Sequence, residues 1–259
     1  RRQRQMCIRD SSTVTVDGGT VSTAYRFYVS NGAEKTPVLR IRSGIVLSTS
    51  TSEPFVHMWD SDLTFDISGG TVYYGANSIF VCDRDGVVAN GANITGGTVK
   101  KSGKTLICLP ELQKNDVRLR LPEAATAANS GIAFGTRLDK AAYDEMSSTL
   151  TTIVTGTLIV PSEYLEGLPA FTIEALTAAY GAEGFLNIVN DGWYNADTAG
   201  EDGFYCYYGS MVQVKEANYS REFAGIGYVT VTVEGIGTYT FYGESQTGTL
   251  AALAEGASG

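Results

Sequence analysis

Acidic and aromatic side chains crowd one stretch of this chain, NDGWYNADTAGEDGFYCYY at residues 190–208. Asp191, Asp197, Glu201 and Asp202 offer oxygen ligands of the kind calcium takes, and the interleaved glycines allow a loop to fold around an ion. Trp193, Tyr194, Tyr205 and Tyr207 stand beside them as candidate carbohydrate contacts, because exposed aromatic faces stack on the apolar faces of sugar rings. Strand alternation makes a competing demand. Phe204, Cys206 and Tyr208 share one face, Tyr205 and Tyr207 the other, and one of these sets must enter a core.

A second acidic group, Asp60, Asp62 and Asp66, lies in WDSDLTFD. On one strand face it suits calcium or paired acid–base work; at a solvated corner it does neither. His57 is the single histidine, so a nucleophilic triad or a His-ligated zinc site has one candidate and no second; an ordinary strand position is expected for it. DRDG at 83–86 lacks the further acids of a calcium loop and is expected to be a turn. The cysteines, Cys7, Cys82, Cys108 and Cys206, show no CxxC spacing.

The elements that would hold these groups differ between the two halves of the chain. TVTVDGGTV, VLRIRSGIV, TFDISGGTV and GANITGGTV place glycines at Gly19, Gly44, Gly70 and Gly97, at intervals of 25, 26 and 27. Each unit has an alternating apolar strand, a glycine where the chain bends, and a second apolar stretch near YRFYV, FVHMW, SIFVC or TLICL. One such unit cannot bury its own apolar row, whereas several stacked units can. The expected fold is therefore a parallel β-helix of four or five coils over residues 13–122, with DVRLRLPEA beginning the fifth. Cys82 and Cys108 fall at nearly the same point of consecutive coils, as stacked thiols or as a coil-to-coil disulfide.

EAATAANS at 123–130 is expected to be a linker, and the period stops after it. Residues 131–245 alternate several strands with two helices, one capped by Asp139 and one by Thr172. This predicts a compact β-rich α+β domain, sandwich-like, with residues 246–259 adding a last helical turn.

The repeats look like those of the right-handed β-helices of pectate lyases and bacterial surface adhesins. GIAFGTRLD, GTLIVPSEYL and NYSREFAGIGYVTV resemble a domain recurring in large modular exported proteins of anaerobic gut Firmicutes, in which an arginine commonly stands where this chain has Ala133. The resemblance implies an extracellular or cell-surface location and neighbouring modules of a longer chain, and it supplies no catalytic residues. Residues 1–12 carry four arginines and resemble translated sequencing-adapter DNA, so they are expected to be non-native.

The chain carries −9 overall, and that excess of acid argues against nucleic acid as a partner. No apolar run reaches the roughly 18 residues of a membrane span, so no membrane insertion is expected. The expected function is that of a non-catalytic fragment of an adhesin-like surface protein, a stalk or a binder of polysaccharide or host glycan, with calcium as the one cofactor suggested. The alternative is a β-helix polysaccharide lyase or glycoside hydrolase using Asp60, Asp62 and Asp66.

Overall fold

Glycine sets the geometry of the first half. In the computed structural model Gly19, Gly44, Gly70 and Gly97 have φ of 69°, 83°, 70° and 79°, a region closed to most residues. Each sits inside a long strand and bends it: β2 (Thr13–Thr23), β4 (Val38–Ser48), β6 (Thr64–Tyr74) and β8 (Asn93–Lys101). The structure describes residues 7–8, 13–29, 38–52, 54–58, 64–75, 80–82, 93–108, 110–120, 131–147, 151–195, 202–234 and 236–257. The molecule is mainly β, with several sheets and, among the described residues, three short helices.

The chain divides into two compact units. Unit 1 comprises residues 1–109, 144–152 and 231–239; unit 2 comprises 110–143, 153–230 and 240–259. The linker expected at 123–130 lies outside the described residues.

In unit 1 the four bent strands pair in parallel with the register the repeat demands. Val16, Ile41, Ile67 and Ile94 align, and so do Val21, Val46, Val72 and Val99. Ile41, Ile67, Val72 and Val99 are each 0% exposed, and with Val46 and Ile94 also buried the bends at Gly44, Gly70 and Gly97 carry an inward residue on both sides. Burying one such side chain contributes about 1.5–3 kcal/mol relative to leaving it in water. The second apolar stretches form another parallel sheet from β3 (Phe27–Val29), β5 (Val56–Met58) and β7 (Phe80–Cys82). His57 lies in β5 and is 8% exposed. Phe55 is fully buried between Phe27 and Phe65, with ring centroids 5.0 and 6.1 Å away. Within the segment expected to be non-native, β1 (Cys7–Ile8) pairs in parallel with Tyr28 and Val29.

The fourth repeat departs from the expected pattern. Ser102 and Gly103 both have positive φ, 49° and 84°, which is the geometry of a two-residue hairpin turn. The chain therefore doubles back, and β9 (Lys104–Cys108) pairs antiparallel with β8. Residues 105–108, TLIC, thus lie in a hairpin and do not extend the second parallel sheet. Cys82 and Cys108 consequently occupy different sheets and are not equivalent points of successive coils; the Cys82 side chain lies outside the described residues. The expected fifth coil is also corrected, because β10 (Leu112–Leu119) pairs antiparallel with β11 (Gly131–Asp139) in unit 2.

Unit 2 contains a three-stranded antiparallel sheet in the order β10, β11 and β14 (Phe204–Val212). It also contains most of a four-stranded sheet, ordered β13 (Leu186–Val189), β12 (Thr151–Pro161), β15 (Glu222–Val233) and β16 (Gly237–Thr249). Leu119, Ile132, Phe134, Ile159 and Phe223 form a core shared by the two sheets. The opposite face of the four-stranded sheet buries Leu158, Val160, Ile226 and Tyr228 against Leu176 and Phe185. Being covered on both faces, β12 and β15 are buried without alternation over residues 155–160 and 223–229.

The helices form where capping predicts. Asp139 Oδ1 accepts from the Ala142 amide at 2.7 Å, opening α1 (Lys140–Met146). Thr172 Oγ1 accepts from Ala175 at 3.2 Å, opening α2 (Ile173–Tyr180), which buries Leu176. A last helix, α3 (Leu250–Ala257), puts Leu250 into the core.

Candidate functional site

The aromatic stretch is built around β14, and its loop wraps that strand's edge. The Tyr194 amide donates to the Cys206 carbonyl at 2.7 Å. Asn195 donates from Nδ2 to the Phe204 carbonyl at 2.9 Å and accepts from the Cys206 amide at 2.7 Å, so its side chain completes the edge as a neighbouring strand would. These bonds fix the loop and send its two consecutive aromatics to opposite sides of the sheet.

Trp193 goes to the inner side. It stacks on Tyr205 with centroids 4.6 Å apart, meets Tyr143 edge-on at 5.1 Å and lies 6.0 Å from Tyr207. Tyr207 is 1% exposed and donates its hydroxyl to the Tyr228 carbonyl at 3.0 Å. Burial raises its pKa, so the phenol stays protonated. The expectation that Tyr207 is a sugar contact is therefore corrected: its face of β14 is the one that enters the core. Trp193 and Tyr205 give their ring faces mainly to each other.

Tyr194 goes to the outer side, where it is 68% exposed. Its ring meets Tyr208 edge-on at 5.1 Å. The Arg118 guanidinium lies 3.8 Å from the Tyr208 centroid and 4.4 Å from that of Tyr194, in contact with both rings. Three local features produce this arrangement. Arg118 opposes Ala133, which opposes Ser210, so small residues flank the arginine. Gly135 opposes Tyr208 and carries no side chain, and a Cβ there would lie 2.6 Å from the Tyr208 ring. Between Lys114 and Val117 the register shifts, a bulge that adds one residue to β10. The bulge brings Asn115 and Asp116 to the Tyr208 hydroxyl, which accepts from Asn115 Nδ2 at 2.8 Å and donates to Asp116 Oδ1 at 2.5 Å. Burial, reinforced by donation to Asp116, raises the Tyr208 pKa.

Of the expected calcium ligands, Asp202 is bound to protein groups. Its Oδ2 pairs with Arg137 at 3.0 Å and its Oδ1 accepts from the Phe204 amide at 3.1 Å. Asp191 is exposed on the loop, and Asp197 and Glu201 lie outside the described residues. Among the described residues no three His, Cys, Asp or Glu side chains converge as a metal site. Cys206 is buried, and burial raises its thiol pKa, which leaves it a poor nucleophile at neutral pH.

Of the other acidic group, Asp60 and Asp62 lie outside the described residues. Asp66 is flanked in register by Arg40 and Asn93. Its oxygens accept from Arg40 Nε at 3.4 Å and Asn93 Nδ2 at 3.2 Å, a polar ladder across three parallel strands.

Arg118 and Tyr208 escaped the sequence reading for different reasons. Arg118 lies in DVRLRLPEA, which reads as the start of a fifth repeat, and alternation along β14 puts Tyr208 on the strand face opposite Tyr205 and Tyr207. Nothing local in the sequence joins residue 118 to residues 194 and 208. No known protein family, curated protein or solved structure matches this chain.

Proposed function

We propose that the chain is a non-catalytic part of an extracellular, surface-associated protein, and that unit 2 binds carbohydrate on the outer side of its three-stranded sheet. The observation that carries this reading is Tyr194, 68% exposed, with Arg118 against its ring and Tyr208 at its edge. A rigidly held aromatic with open surface loses little conformational freedom when a sugar ring stacks on it. The glycan contacts are Tyr194 and the rim of Tyr208; Trp193 and Tyr205 support the loop from the inner side.

In this reading the parallel strands of unit 1 are turns of a right-handed β-helix serving as a stiff stalk, and unit 2 is a sandwich-like accessory domain. The glycine period, the aligned inward rows and the paired parallel sheets support a helical coil. The partners are a polysaccharide or host glycan and further modules of a longer chain.

The test is retention on a glycan array and on immobilised polysaccharides, with and without calcium, for the chain and for Tyr194→Ala. Binding that falls about 10-fold in the variant supports the reading. Depolymerisation of a bound polysaccharide would replace it with the lyase or hydrolase reading, and the absence of any glycan binding would leave the spacer role alone.

A further inference from the structure

Two arginines lie on aromatic rings on the outer side of the three-stranded sheet, and their chemical situations differ. Arg137 lies over Phe204 at 4.4 Å and is ion-paired to Asp202 at 3.0 Å. Arg118 touches two rings, yet among the described residues no carboxylate pairs with it and no side-chain or carbonyl oxygen accepts from its guanidinium. The nearest acid on its strand, Asp116, receives hydrogen bonds from Tyr208 and from Asn115 Nδ2, the latter at 2.9 Å. The bulge thus turns Asp116 toward neutral donors, although an arginine stands two residues away.

A guanidinium in contact with aromatic rings has its charge attracted by them without giving up its N–H donors, which form a planar fork that matches a carboxylate. From these observations we infer that the glycan bound by unit 2 is acidic, with a carboxylate received by the edge of Arg118 while a sugar ring lies on Tyr194. The rings of Tyr194 and Tyr208 hold the fork in place before the ligand arrives, so less side-chain entropy is lost on binding. Asp116, held by Tyr208 and Asn115, repels a carboxylate that approaches from its side and so restricts the direction of entry.

This inference rests on the proposed glycan binding, and the experiment separates the two. The intact chain is applied to an array of neutral, carboxylated and sulfated glycans, and then to the same carboxylated glycans after methyl esterification. The expected result is binding confined to the carboxylated set and lost on esterification. Arg118→Gln should weaken it by about 10-fold or more, and Arg118→Lys, which keeps the charge but not the fork, by less. Raising the salt concentration should weaken wild-type binding and leave the residual binding of Arg118→Gln less affected. Equal binding of neutral or esterified glycans overturns the acidic-ligand inference while leaving carbohydrate binding intact. Preference for sulfated glycans overturns it too, and no binding to any glycan overturns both. Unchanged thermal unfolding of Arg118→Gln shows that a loss of binding is not a loss of fold, and if that variant is destabilised the esterification arm decides alone.

Discussion

Glycine is indispensable in both units, but what it makes room for differs. In unit 1, Gly44 and Gly70 have positive φ, and a Cβ added to either would lie 2.5 or 2.7 Å from the carbonyl oxygen of the preceding repeat's glycine. The neighbour is backbone, so the bends stack only if each layer has glycine. In unit 2, Gly225 and Gly227 have ordinary backbone angles and receive side chains: an added Cβ would lie 2.3 Å from Phe134 Cγ and 2.2 Å from Thr136 Oγ1. The first kind of glycine sets a repeating main-chain path; the second fits two sheets together at individual points.

That contrast makes its strongest prediction at Gly70. Gly70→Ala combines a strained backbone angle with a backbone clash and should cost about 3–5 kcal/mol in chemical denaturation. Gly19→Ala is the control, because Gly19 has φ of 69° but nothing within 4 Å of the added Cβ. Strain alone should cost about 1–2 kcal/mol there. Equal losses at the two positions would show that the bends do not stack.

Next in size is Gly225→Ala, expected to cost about 2–3 kcal/mol through overpacking against Phe134. Here the neighbour can be trimmed. Phe134→Leu in the same chain should return part of the loss, as coupling in a double-mutant cycle. No substitution at Gly44 can do this for Gly70→Ala, since the obstacle there is a carbonyl. Strict additivity of Gly225→Ala and Phe134→Leu would break the inter-sheet packing on which unit 2 is built.

The same contrast explains what the sequence could reveal. Stacked bends require glycine in every layer, so the intervals of 25, 26 and 27 are visible by inspection, and the register from Val16 to Ile94 follows from them. The helices capped by Asp139 and Thr172 were visible too, because a cap and its helix are sequence neighbours. The end of the array was hidden in two residues, Ser102 and Gly103, whose positive φ reverses the chain. DVRLRL resembles another repeat strand because apolar alternation does not specify a partner, and its partner is β11. The candidate site was half visible. Tyr194 could be picked from its aromatic stretch, but Arg118 reaches it through two successive pairings, with Ala133 and then Ser210, that no local pattern encodes.

A smaller effect separates the two sides of the β14 edge. Tyr207→Phe removes a buried hydroxyl and leaves the Tyr228 carbonyl without that donor, which should cost about 1–2 kcal/mol of stability. Tyr194→Phe, on an exposed side chain, should leave the denaturation midpoint within about 0.5 kcal/mol of wild type. If Tyr207→Phe weakens glycan retention while stability is unchanged, the division into a core side and a binding side fails.

The smallest expected effect concerns how unit 1 includes residues that come late in the chain. Glu145 accepts from Thr105 on β9 and pairs with Lys100 on β8 at 2.9 Å. The Thr105 hydroxyl, followed by the Lys100 ammonium, favours the ionised carboxylate and lowers its pKa from the ordinary 4.5. A carboxyl whose pKa is lower in the folded state binds fewer protons there than in the unfolded chain. Its contribution is therefore present above about pH 4.5 and is lost as the pH falls through the lower folded value. The side chain is 49% exposed, so solvent screening limits that contribution to less than about 1 kcal/mol. Glu145→Gln should lower stability slightly at pH 7 and lose less on acidification than wild type does, with the two unfolding midpoints converging below pH 4. Parallel curves across that range would show that the carboxylate does not hold residues 144–152 to the hairpin, leaving the buried Thr151 hydroxyl's bond to the Leu106 carbonyl at 3.1 Å to do so.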